Sequence, residues 1–158
     1  AFTEYLRECL DSLPIAPPAT TDAPQSIMTD WLASDRVPGD IELGEEAVFE
    51  DPATEGCEIR CKRQDLQADE IKAHLKSGKR IRRLALSWNE RLSCVVDADY
   101  SIKRLKFSDM VKESDGGRDP ETFAEQFDAD FTLLVLEVRR LLPRLMELFG
   151  GESQGKAA

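Results

Sequence analysis

KRIRRLALSWNERLSCVVDADYSIKRLKF, residues 79–107, is the stretch on which the fold turns. Three runs within it, 79–88, 92–98 and 101–107, carry the aliphatic, β-branched and aromatic residues that favour strands. Asp97, Ala98 and Asp99 supply polar turn residues between the last two. The pattern predicts an antiparallel meander. Strict alternation along the first run puts Arg82, Leu84, Leu86 and Trp88 on one face and Ile81, Arg83 and Ala85 on the other. Each face then has an arginine near one end, which gives the sheet a basic rim.

Working upstream, residues 39–50 and 57–63 read as two further strands. In the second, Cys57, Ile59 and Cys61 alternate with Glu58, Arg60 and Lys62, so that Arg60 and Lys62 point outward together. Between the strands and the meander, 67–77 reads as a helix. Ile71 and Leu75 lie one turn apart, Asp69 and Glu70 near its start, Lys76 in its last turn and Gly78 just beyond. Residues 26–33 form a short helix from the spacing of Ile27, Met28, Trp31 and Leu32, with Ser26 as its cap and Trp31 as its core anchor. Residues 2–13 form an amphipathic helix ended by Pro14, and Pro14, Pro17, Pro18 and Pro24 belong to an extended connector.

Downstream, 109–113 reads as a helical turn and 114–119 as a loop, with Asp119 capping a helix whose first residue is Pro120. From Ala129 the chain is strongly helical and apolar around much of its circumference. Pro143 predicts a kink or break there, and Gly150-Gly151 closes the run. The expected fold is α+β: an antiparallel sheet with flanking helices and a long, kinked C-terminal helix, forming one domain over residues 1–151. Residues 152–158 are expected to be a disordered tail.

A chain of 158 residues can bury a core without staples. Its 41% hydrophobic and 33% charged residues, with no apolar run of membrane-spanning length, predict a soluble protein that does not enter a membrane. The first residues show no signal-peptide pattern, so an intracellular, cytoplasmic setting is expected, and the lack of an initiator Met suggests a fragment. Cys9, Cys57, Cys61 and Cys94 are then expected to be reduced and mostly buried. A net charge of −10 alone argues against a nucleic-acid partner, but the charge is divided. Residues 58–107 carry thirteen bases against seven acids, net +6, and the remainder eight against twenty-four, net −16. Such asymmetry suits a positive surface facing a polyanion and an acidic one facing solvent.

Enzymatic signals are weak. Asp97 with Asp99, Asp128 with Asp130 and Glu45 with Glu46 are the close acidic pairs that a metal-dependent nuclease uses. The first pair flanks a predicted turn, where Asp bonds its own backbone, and the second is placed at the start of a long helix, where acids favour the unpaired amides. Cys57, Cys61 and the lone His74 are too scattered for a zinc site, and no phosphate-cradling glycine loop is present. No catalytic residue, metal or cofactor is expected.

Five segments, Met28–Leu32, Cys61–Leu66, Arg83–Trp88, Ile102–Phe107 and Gln126–Phe131, together resemble the C-terminal half of the RdgC family of recombination-associated proteins. The resemblance implies a mixed α+β protein that forms a ring-shaped homodimer, passing double-stranded DNA through a positively lined hole. It also implies binding without sequence preference, antagonism of RecA, service in replication restart and a place in the nucleoid. The family's DNA-facing segment falls on Lys62, Arg63 and Gln64. Charge alone adds Lys79, Arg80, Arg82 and Arg83 as DNA-binding candidates. Lys103, Arg104 and Lys106 rank below them, because a regular strand divides them between two faces. The competing reading is a dimerisation or protein-interaction module whose apolar C-terminal helix is the contact surface, with DNA contacts supplied by the family's other half.

Overall fold

The computed structural model describes residues 2–10, 18–107 and 120–153. Its elements are α1 (Phe2–Leu10), α2 (Pro24–Ser34), β1 (Ile41–Glu50), β2 (Glu58–Lys62), α3 (Asp69–Lys76), β3 (Arg80–Trp88), β4 (Leu92–Asp97), β5 (Ile102–Phe107) and α4 (Pro120–Leu148). The strands form one antiparallel sheet in the order β2-β1-β3-β4-β5, so the chain is α+β and residues 79–107 do form a meander. The expected helical turn at 109–113, the loop at 114–119, the Asp119 cap and the Pro14 stop lie outside the described residues.

One face of the sheet is covered. Ile41, Ala47, Phe49, Cys61, Ile81, Leu84, Leu86, Trp88, Leu92, Cys94 and Val96 point into a core shared with Met28, Trp31 and Leu32 of α2. Ile71 of α3 and Leu141, Leu145 and Phe149 at the end of α4 complete it. Trp31 anchors α2 as expected, and its ring stacks 6.2 Å from that of Phe149. Two ion pairs fasten α4: Arg144 grips Asp40 at 2.7 and 3.1 Å, and Arg91 meets the buried Glu137 at 2.9 Å. Pro143 lies inside α4, which continues past it to Leu148. Pro143 and Arg139, whose carbonyl loses its intrahelical donor, are exposed, so water can satisfy that group.

Several local expectations are corrected. The helix starts at Pro24 rather than Ser26; Ala23 is its N-cap and makes no side-chain cap bond. Pro24 therefore opens the helix, where its missing N–H costs nothing, instead of belonging to the connector. Asp128 and Asp130 lie well inside α4 rather than at a helix start, because the helix that begins at Pro120, as expected, runs on unbroken through the apolar stretch from Ala129. Glu152 and Ser153, assigned to the tail, pair with the segment before α2: Ser153 N donates to Ala19 O at 2.9 Å and Thr20 bridges Glu152.

The largest correction concerns alternation in β3. Val48 of β1 pairs with Arg83 and Phe49 with Ile81, leaving Arg82 as an extra residue in a β-bulge. Ile81 consequently joins Leu84, Leu86 and Trp88 on the core face, while Arg82 and Arg83 both point away from it. Another irregularity falls in β5, where Ser93 pairs with Lys106 but Val95 pairs with Lys103, and Arg104 has φ 53°. Ile102, Leu105 and Phe107 turn inward, and Lys103, Arg104 and Lys106 turn outward together.

The close approach of β1 to β3 gives one prediction. A Cβ on Gly44 would lie 2.9 Å from the Ala85 Cβ and 3.2 Å from the Ala85 backbone. Gly44→Ala is expected to lower stability by about 1–3 kcal/mol through overpacking, read as a drop in the thermal midpoint.

Candidate nucleic-acid interface

Among the described residues, the face of the sheet opposite α2, α3 and the end of α4 is open. In-register partners share a face, so the pairs Val48–Arg60, Val48–Arg83, Glu46–Lys62, Arg83–Asp97, Val95–Lys103 and Ser93–Lys106 all lie on it. Val48 and Val95 are nonetheless buried, as expected where long basic side chains lie across them. The two bulges thus gather Arg60, Lys62, Arg82, Arg83, Lys103, Arg104 and Lys106 on one surface. Gly44, Ala85, Ser87 and Ser93 form a shallow floor beside Glu46, Arg104 and Lys106.

Carboxylates hold most of these cations. Glu58 accepts from Arg82 at 2.6 Å and from Arg60 at 2.9 Å, and Glu46 accepts from Arg104 at 2.7 Å. Asp97 accepts from Arg83 at 2.5 Å and Lys103 at 2.8 Å, with the Arg82 Nε 4.0 Å away. Arg104 beside Glu46, and Arg60 beside Glu58, keep both carboxyls below their ordinary range. Burial pushes Asp97 upward, but the hydrogen bonds from Lys103 and Arg83 together outweigh it and leave its pKa lowered. Lys62, Arg63 and Lys106 have no ion-pair partner among the described residues.

The seven candidates from sequence are not brought to one place. Lys62, Arg82 and Arg83 stand on the open face. Arg63 and Gln64 turn around the end of β2 into a cleft of about 510 Å³ that also holds Glu42, Glu45 and Asp65. Gln64 is tied down there, its Nε2 donating to Glu70 at 2.8 Å. Lys79 and Arg80 line a groove of about 310 Å³ on the helix side, with Thr29, Asp30, Lys72 and Lys76. Arg60, Lys103, Arg104 and Lys106, by contrast, belong to the open face although sequence ranked them low or left them out.

The suspected catalytic groups have other occupations. Asp99 accepts from the Ser101 amide at 2.9 Å, as a turn aspartate does, and Asp97 is saturated by cations. Cys61 and Cys94 are buried and Cys9 is exposed, all unpaired with one another. Burial raises the Cys61 thiol and pushes that of Cys94 up to about 11, which disfavours the nucleophilic thiolate. Among the described residues no three His, Cys, Asp or Glu side chains cluster as a metal ion would require, and no helix is long and apolar enough to cross a membrane.

Fold and face together define a class: an α+β module with helices on one side of an antiparallel sheet and a bulged, cation-rich surface on the other. The family model described as "Putative exonuclease, RdgC" matches residues 1–152, and the chain belongs to the RdgC family. It is 59% identical over 151 residues to the recombination-associated protein RdgC of Halorhodospira halophila, covering 96% of this chain and 50% of that protein. It is 42% identical to the protein of the same name from Yersinia enterocolitica, over 94% of this chain and 49% of the relative. The Psychromonas ingrahamii protein is 41% identical over 93% and 49%. The chain therefore spans about half the length of the curated relatives it matches.

Proposed function

We propose that this chain supplies a duplex-DNA-binding surface, indifferent to sequence, to an RdgC-type protein that modulates RecA-dependent recombination and replication restart in the nucleoid. The open face of the sheet is that surface. The observation that carries the reading is the pair of bulges, which turn Arg82 with Arg83, and Lys103 with Arg104, to one side. Cations spread over a sheet face meet phosphates along a backbone, and long flexible side chains on a shallow floor carry no fixed pattern for reading base edges. The role is binding rather than hydrolysis: Asp97 and Glu46 are engaged by cations and Asp99 by its turn, and among the described residues no three metal-ligating side chains cluster. The whole protein would act as a homodimeric ring around the duplex, as the family resemblance suggests.

Anisotropy of a labelled duplex of about 30 base pairs, at two salt concentrations, tests this. Lys62→Ala/Arg82→Ala/Lys106→Ala is expected to weaken binding and make the log–log salt dependence shallower by about two to three units. Lys76→Ala/Lys79→Ala, on the helix side, is expected to leave the slope unchanged. The converse pattern would move the site to the groove between α2 and α3.

A second reading rests on α4. Phe127, Phe131, Val135 and Leu142 are exposed along one side of it, an apolar stripe that suits a dimerisation or protein-interaction surface. Sedimentation distinguishes the two: a stable dimer that shifts no duplex favours this reading, and a monomer at high concentration removes it.

A further inference from the structure

On the open face each arginine already carries a carboxylate: Arg60 and Arg82 share Glu58, Arg83 lies on Asp97 and Arg104 on Glu46. A carboxylate oxygen on a guanidinium stands where a phosphate oxygen would stand, since both anions use the same planar donor fork. The three carboxylates are not equivalent. The Asp97 side chain is 3% exposed, so its charge depends on Arg83 and Lys103, and those cations stay with it. Glu46 and Glu58 are 22% and 24% exposed and can swing into water.

We propose that Glu46 and Glu58 are internal competitors for phosphate, which occupy Arg60, Arg82 and Arg104 until a polyanion displaces them, and so set how tightly this face holds DNA. The inference rests on the DNA-binding reading above. Competition of this kind favours a ligand that presents many phosphates at once over an isolated anion, because each displacement returns little free energy alone. It also offsets part of the positive charge of the face when empty. Asp97 has the separate role of fixing Arg83 and Lys103 at the centre of the surface.

The test measures duplex binding by anisotropy across a salt series for the unmodified chain, Glu46→Gln, Glu58→Gln and the double variant. Asp30→Asn serves as a control, changing net charge equally from an exposed position on α2, on the other side of the sheet. Each glutamine substitution is expected to tighten Kd by about threefold, the double variant by about tenfold, and to steepen the salt dependence by about one unit per cation released. Asp30→Asn is expected to stay within about twofold. Unchanged or weaker binding by the glutamine variants, with salt-dependent binding by the parent, overturns the competition and leaves the DNA reading standing. Absence of binding by all five proteins overturns both.

Discussion

Phe149→Ala is expected to lower the unfolding free energy by about 3–5 kcal/mol, the largest effect of any single change proposed for this chain. Phe149 sits at the junction of three elements. Its ring stacks on Trp31 of α2 and meets the Tyr100 ring edge-on at 6.5 Å, beside β5. Its carbonyl accepts from Asp22 N at 3.0 Å, and Thr21 N donates to Gly151 O at 3.1 Å. Truncation therefore opens a cavity in the core and loosens the clasp that joins residues 19–22 to the end of α4. Chemical denaturation followed by tryptophan fluorescence reads both effects, because Trp31 lies against the missing ring. Leu142→Ala, at an exposed position on the same helix, is expected to cost less than about 0.5 kcal/mol. A loss below about 1 kcal/mol for Phe149→Ala would mean that α4 is not held to the sheet by this contact.

The sheet was legible from residues 79–107 and the strand candidates before it, because turn residues and apolar runs mark β3, β4 and β5 directly. The family followed from five short segments. The candidate surface was legible only as a charge excess, and the face taken by the cations of β3 and β5 differs from strict alternation for one physical reason. Unbroken alternation predicts Arg82 and Arg83 on opposite faces, whereas the core residues of β3 are Ile81, Leu84, Leu86 and Trp88, spaced three, two and two. Those of β5 are Ile102, Leu105 and Phe107, spaced three and two. A step of three within a period of two is the mark of one extra residue, and it falls in both strands where two cations are consecutive. That spacing was in the sequence and would have placed Arg82 with Arg83, and Lys103 with Arg104, on one side. Other features had no local signal. Nothing near Gln64 says that Glu70 will hold it, and nothing near Lys79 says that the start of β3 turns it towards α2 and α3; both depend on how α3 packs.

Asp97→Asn tests whether the centre of the open face is built around a buried charge. At neutral pH the substitution is expected to cost about 1–3 kcal/mol. Removing one member of a buried ion pair costs about 3–5 kcal/mol, but Arg83 and Lys103 are 31% and 43% exposed and can recover solvation. The pH dependence carries the sharper signature. The carboxyl of Asp97 lies below its ordinary value of 3.8 in the folded chain, so the unfolded chain binds the proton more readily. Its contribution is then fully present above the unfolded pKa and is lost as pH falls through the folded one. The stability gap between the parent and Asp97→Asn should accordingly be constant from about pH 7 to 5 and close below about pH 4. Urea denaturation at a series of pH values measures it. A gap that persists unchanged into acid would assign the loss to packing or hydrogen-bond geometry, since asparagine keeps the shape of the side chain and only the charge is removed. A gap that closes identifies the carboxylate charge as what holds Arg83 and Lys103, and the cation face then depends on a group that sequence alone reads as a turn residue or half of an acidic pair.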